Sequence, residues 1–453
     1  VANASQDRVP LIVISGAVGE AEALRYSHQV FDHRAVLGPL VKASFEARAG
    51  ACDTMIDKAL RLALDPRPGP VHVDLPVALA GAVHPPARAA VRGPLAFSGP
   101  AEGPDLEAAR AMFRAAERPI MVAGLDGLTE PGAAEAVREV SARLGIPVVT
   151  SYKAKGVLAE DDPLCLGGHG LSPKSDAILL PLLRAADLVL ACGYDPIEMR
   201  AGWQDPWEPA ACIEFGAVAN HQDMHGARVA WVSGVVPGLA ALTAGAAPRP
   251  VWPAGEIGRT RARLAEAFSA AAGWGPAEAL HLLNRLKPDG LVASVDSGAH
   301  RILMSQIWTC RAPGELIQST GLCTMGCALP LAIGRKLAEP ARPVMAVMGD
   351  GCLDMVLGEL ATLRDLALPI PVVVLVDGSL ALIEMKQRRE GLANAGVDFG
   401  VTDYAGLARV LGFAAWTVED APGLEAAFRA ALAAEGPSLI AVRIPPRAYD
   451  GLI

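Results

Sequence analysis

Along this chain, runs of consecutive aliphatic residues alternate with segments whose apolar positions recur every three or four residues. The first kind reads as buried strand and the second as amphipathic helix. "VPLIVIS" (9–15) and "GPVHVDLP" (69–76) predict strands, with "CDTMIDKALRLAL" (52–64) a helix between them. A second block repeats the alternation: "RPIMVAG" (118–124), a helix near 132–143, "IPVVTS" (146–151), "ADLVLACGYD" (186–195) and "RVAWVSG" (228–234). A third runs from "GLVASVD" (290–296) through "RPVMAVM" (342–348) and "VVVLV" (372–376) to "GPSLIAVRIP" (436–445). Strand, helix, strand in this order builds parallel sheets covered by helices on both faces. The expected fold class is α/β, with three doubly wound parallel-sheet domains. Pro/Ala/Gly-rich stretches at 82–104 and 245–255 are the candidate linkers. They give domains at 1–95, 96–255 and 256–453.

Composition narrows the functional classes. With 453 residues, 52% of them hydrophobic and 20% charged, the chain can fill several cores. Its net charge of -9 argues against a nucleic-acid partner, since neutralising phosphates takes a basic surface. The most apolar stretch, "AILLPLLRAADLVLAC", is interrupted by Arg184 and Asp187, so no membrane span is expected. Eight cysteines without a CxxC pair suggest a reducing, cytoplasmic setting more than a disulfide framework. No signal peptide is evident, and the chain opens at Val1 as if in mid-structure.

The chemistry concentrates in "GDGCLDMVLGELATLRDLALPIPVVVLVDGS" (349–379). A strand ends at the Gly349-Asp350-Gly351 turn, a helix is expected from Leu353 to Leu366, and a buried strand ends at Asp377. Met355, Leu360 and Leu363 share one side of that helix. Pro369 and Pro371 stop it. A right-handed crossover sets the two strands close together and parallel, with both acids at their carboxyl ends, where open α/β sheets bind ligands. Two neighbouring carboxylates call for a cation between them, and the glycines let backbone N–H groups approach a phosphate. Oxygen ligands beside a diphosphate suggest Mg²⁺.

Those residues resemble the metal motif of thiamine-diphosphate-dependent enzymes, the acetolactate synthase and pyruvate decarboxylase superfamily. The resemblance implies Asp350 and Asp377 as side-chain metal ligands and Ser379 as a backbone-carbonyl ligand, with Gly349, Gly351 and Cys352 beside the cofactor. Most members carry Asn at the second position. Asp in "VLVDGS" is similar to the catabolic, FAD-independent acetolactate synthases. "STGLCTMGCALPLAIG" (319–334) resembles the segment that bends the cofactor, with Met325 under the bend and the carbonyl of Cys323 toward the aminopyrimidine; Gly is usual at that position. "DSGAHR" (296–301) resembles the diphosphate-contacting segment, through Gly298, Ala299 and His300. "SHQVFDHR" resembles part of the pyrimidine-binding domain, which puts His28 and Gln29 near the substrate pocket. The likeness covers nearly the whole chain and divides it into a partial pyrimidine-binding, a central Rossmann-like and a diphosphate-binding domain.

What this implies is decarboxylation of a 2-keto acid, with pyruvate the expected substrate, and carboligation to a second keto acid. The alternatives are a decarboxylase or lyase that frees an aldehyde, and an inactive cofactor-binding fragment or subunit. The family's activating glutamate would lie about 25 positions before "VANA", so the chain reads as truncated at its N-terminus; Glu20 and Glu22 fall in the wrong segment. A homodimer or homotetramer with its site at the interface is implied, and FAD in the central domain is not expected, although "GLDG" (124–127) resembles a nucleotide-binding turn. "LALIEMKQRRE" (380–390) is either a solvated helix or part of a lid whose Leu380 and Leu382 touch substrate. His221 and His225, four apart, fit one face of a surface helix better than a metal site.

Overall fold

The computed structural model describes residues 1–84, 97–270 and 273–453. The expected boundary at 95/96 and much of the first candidate linker lie outside the described residues. The chain forms two compact units, residues 1–97 with 320–322 and residues 98–319 with 323–453. All strands pair in parallel, in three sheets, as the alternating pattern predicts.

In the first unit β1 (Leu11–Ala17), β2 (Ser44–Glu46) and β3 (Pro70–Pro76) are ordered β1-β3-β2. The helix Cys52–Leu64 lays Ala59 and Ala63 against Val71 and Val73. Residues 320–322 group with this unit because the Asp7 carboxylate accepts hydrogen bonds from Thr320 N (2.8 Å), Thr320 Oγ1 (2.9 Å) and Gly321 N (3.0 Å).

The second unit holds two six-stranded sheets. One contains β4 (Pro119–Ala123), β5 (Val148–Ser151), β6 (Cys165–His169), β7 (Leu188–Cys192), β8 (Cys212–Gly216) and β9 (Val229–Val232), ordered β6-β5-β4-β7-β8-β9. The other contains β10 (Val292–Val295), β11 (Leu316–Gln318), β12 (Val344–Gly349), β13 (Pro371–Val376), β14 (Ala414–Val418) and β15 (Ser438–Arg443), ordered β11-β10-β12-β13-β15-β14. The central strands β12 and β13 are buried on both faces, which is why they read as unbroken apolar runs rather than alternating ones.

The two sheets are tied by buried polar contacts. Lys155 is 3% exposed and its Nζ lies 2.5 Å from Glu160 Oε1; Glu160 Oε2 accepts from Cys310 N at 2.7 Å. Burial pulls the Lys155 pKa down, but Glu160 beside it more than restores the charge. Gln306 Nε2 donates to Gly168 O (2.9 Å) and Gln318 Nε2 to Tyr152 O (3.1 Å). In the stretch 245–255, Trp252 is buried and donates from Nε1 to Pro119 O at 2.7 Å, so this segment is pinned to the sheet.

Three local expectations need correcting. The single helix expected from Leu353 to Leu366 is two helices, Asp350–Met355 and Glu359–Leu366. The first starts at the acid itself, and Val356 leaves helical geometry (φ -131°, ψ 27°) just before Gly358. The break rotates Met355 out to 61% exposure, while Leu360 and Leu363 are buried. Finally, residues 217–228 are not helical: His225 is buried against Tyr194 and Trp207, 3.2 Å from Glu214, and His221 is exposed.

Candidate active site

The chain leaves β10 for β11 on one side of the sheet and reaches β12 and β13 on the other, so the strand order reverses between β10 and β12. Such a switch point opens a crevice outside the carboxyl ends of the strands. A cavity of about 220 Å³ lies there. It brings together Gly298, Ala299, His300, Cys323, Met325, Gly349, Asp350, Gly351, Cys352, Asp377 and Ser379, drawn from four separate loops. His28 and Gln29 belong to the first unit. There His28 is exposed and Gln29, at φ 59°, lines a different pocket with His33, Glu46 and Asp74.

Asp350 and Asp377 stand at the ends of paired strands, where Gly349 is in register with Leu375. Asp350 is held rigidly: Oδ1 accepts from Gly351 N (2.8 Å), and Oδ2 from Asp377 N (3.1 Å) and Gly378 N (2.7 Å). Burial nevertheless pushes its carboxyl above the usual range. Asp377 is pushed up to about 7, first by burial and then by the negative charge of Asp350. A divalent cation between them removes both penalties at once, and the donor set is all oxygen.

The diphosphate end of a cofactor also fits. Ser297 Oγ and His300 Nε2 are buried without a hydrogen-bond partner, and both residues line the cavity. Burial, aided by Arg301, lowers His300 to about 3, so its ring is neutral and can donate one N–H to an acceptor. Two glycines of the lining leave little room for a side chain. A Cβ at Gly298 (φ 152°) would sit 2.6 Å from the His300 ring, and one at Gly351 would meet Leu380 Cδ2 at 2.8 Å.

Cys323 has φ 53°, the left-handed backbone that glycine adopts freely and that costs other residues roughly 1–3 kcal/mol. The usual glycine therefore has a conformational reason. Here the cysteine is accommodated, its Sγ receiving Arg301 Nη2 at 3.2 Å, while Arg301 also donates to Ser319 O.

Leu380, Ala381, Leu382 and Ile383 form an apolar wall. The helix Ala381–Arg389 is thus part cavity lining and part surface: Glu384 is buried under Arg388, while Arg389 is exposed. Four contributions escaped sequence reasoning. Asp296 accepts from Ser297, Gly326 and Ala328 N–H groups at 2.8, 2.9 and 2.9 Å and so fixes two of the loops. Ser297 adjoins residues already singled out, and its neighbours could have drawn attention to it. Leu375, next to last on β13, and Tyr449, 72 residues beyond Asp377, also line the cavity. No local pattern marks Tyr449.

Comparison with known proteins agrees with this geometry. The family model "Thiamine pyrophosphate enzyme, C-terminal TPP binding domain" matches residues 296–442, and "Thiamine pyrophosphate enzyme, central domain" matches residues 106–235. A probable 2-ketoarginine decarboxylase of Pseudomonas aeruginosa is 30% identical over 98% of this chain and 79% of its own length. The chain belongs to the thiamine pyrophosphate enzymes. Within that family it is also similar to the acetolactate synthase of Bacillus subtilis, 28% identical over 96% of this chain and 77% of that protein. The catabolic acetolactate synthase of Raoultella terrigena is 28% identical over 99% and 81%. This thiamine pyrophosphate enzyme has, among its described residues, no helix long and apolar enough to cross a membrane.

Proposed function

We propose that the protein decarboxylates a 2-keto acid, pyruvate first among candidates, and joins the remnant to a second keto acid, with thiamine diphosphate and Mg²⁺ in the β10–β13 cavity. The observation that carries this is the paired Asp350 and Asp377 under one apolar wall. Asp350, Asp377 and the Ser379 carbonyl would hold the metal. Ser297, Gly298, Ala299 and His300 would hold the diphosphate, and Met325 with the Cys323 carbonyl the bent ring system. Bound there, the cofactor supplies the nucleophilic carbon and electron sink that the protein lacks. The residues' share is to orient and to exclude water: Leu380, Ala381, Leu382 and Ile383 keep the reacting carbon dry. A homo-oligomer is part of this reading. So is a central domain without FAD: the turn at Gly124 is closed by its neighbours, since a Cβ on Gly193 would fall 2.1 Å from Gly127 N and Leu125 N already donates to Glu198 Oε2 at 3.1 Å.

Product analysis tests the proposal. With pyruvate, thiamine diphosphate and Mg²⁺ the protein should release a branched 2-hydroxy-2-keto acid. Free acetaldehyde as the main product would replace the ligation reading with plain decarboxylation, which the decarboxylase relative at 30% identity favours. No turnover of any 2-keto acid would overturn both.

The carboxylate pair adds a pH signature. A metal must displace the proton that Asp377 holds below about pH 7. Mg²⁺ affinity should therefore be flat above that value and fall about tenfold per pH unit beneath it. Because the folded pKa is raised, the metal-free protein loses stability from this group as pH rises from about 4 to 7, and Mg²⁺ restores it. Thermal midpoints with and without Mg²⁺ at pH 5 and pH 8 read this directly; an equal shift at both would contradict it.

A further inference from the structure

The first unit carries a second cluster of ligand-type side chains, remote in sequence from the motif at 349–379. His72 and Asp74 alternate along β3 and so point to one face. His33 reaches them from the helix His33–Leu37, whose N-cap Asp32 accepts Ala35 N at 2.9 Å. His33 Nδ1 is 2.6 Å from Asp74 Oδ1, and His72 Nε2 is 3.5 Å from the same oxygen. The three ligand atoms all lie within 4.8 Å of one another.

Burial and outer contacts favour a metal over a simple ion pair. His72 is fully buried. Ser44 Oγ lies 2.7 Å from His72 Nδ1, and a proton on that nitrogen leaves the Nε2 lone pair facing Asp74. Ser15 Oγ, 3.1 Å away, is the other group at Nε2. A ring fixed through its remote nitrogen is how proteins orient metal-binding imidazoles. The 3.5 Å separation of His72 and Asp74 suits two ligands on one ion at about 2.0–2.2 Å each. The 2.6 Å pair must open by less than about 1 Å. His33 can supply that movement, since its side chain is 14% exposed on a short surface helix. Arg34, 3.8 Å from Asp74 Oδ2, already has an alternative partner in Glu46 at 3.1 Å. A pocket of about 230 Å³, lined by His33, Asp74, Gln29 and Glu46, leaves room for water as a fourth ligand.

We infer that His33, His72 and Asp74 form a binding site for a first-row transition-metal cation of the zinc type. Two nitrogens and one carboxylate select Zn²⁺ or Co²⁺ and discriminate against Mg²⁺, which takes oxygen ligands. The ion would staple the helix His33–Leu37 to β3. None of these three residues is among those proposed above to hold the cofactor or Mg²⁺.

Calorimetric titration of Zn²⁺ into the protein saturated with Mg²⁺ tests it, with Co²⁺ absorption to report coordination. One Zn²⁺ per chain is expected. His33→Ala should weaken it at least about tenfold with the circular dichroism spectrum unchanged, and Asp377→Ala should leave it intact. No uptake would overturn the inference and leave a plain His–Asp–His hydrogen-bond cluster. Uptake that survives His33→Ala, or that instead follows the half-buried thiols of Cys52, Cys323 and Cys327, would overturn it equally.

Discussion

Asp350→Ala is expected to lower Mg²⁺ and thiamine diphosphate affinity by at least about 100-fold and to abolish turnover. Asp377→Asn should do something different. An amide oxygen still ligates, as the asparagine common in the family implies, but the second negative charge is gone. Affinity above pH 7 should therefore stay within about tenfold of the parent, while the loss of affinity below pH 7 disappears. Equilibrium titrations of Mg²⁺ at several pH values separate the two variants without any reference to activity. A steep pH dependence persisting in Asp377→Asn would show that the proton taken up on metal release does not sit on Asp377.

The second large effect concerns stability. Removing Glu160 leaves Lys155, 3% exposed, as an uncompensated buried ammonium and deprives Cys310 N of its acceptor. Breaking a buried pair in this way costs roughly 3–5 kcal/mol, far more than an exposed pair. Glu160→Ala should accordingly lower the urea midpoint by that equivalent. The double variant Lys155→Met, Glu160→Leu should recover part of the loss but not all, because the Cys310 amide remains unsatisfied. A loss below about 1 kcal/mol in Glu160→Ala would mean that Lys155 finds water instead.

How much of this was legible beforehand follows physical lines. Strands buried on both faces, such as Val344–Gly349 and Pro371–Val376, are unbroken apolar runs and announce themselves. The acids at their ends acquire meaning from the crossover rule alone. The eleven cavity residues expected from "DSGAHR", "LCTM", "GDGC" and "VDGS" could be proposed together because their segments resemble the family's, and three of the four groups follow a predicted strand. Helix interruption was not legible: Val356 to Gly358, the turn between the two helices, contain no proline. Tyr449 and the apolar wall's depth were hidden for a related reason. They reach the cavity through tertiary contact, which periodicity does not encode. The histidines at 221 and 225 misled in the other direction, since four-residue spacing matters only on a helix and this segment follows β8 as an irregular loop.

The apolar wall occupies four consecutive positions, Leu380 to Ile383, beginning one residue after Ser379. Asp377 and Ser379 precede it on the same connection, and the rest of the lining comes from β13 and from other loops. If, as proposed, this wall meets the organic substrate, a handful of codons can rewrite that face while the residues proposed for phosphate and metal stay as they are. Divergence of substrate preference then needs neither a new fold nor a rebuilt cofactor cradle. A family laid out this way can hold synthases and decarboxylases at similar distances from a single sequence.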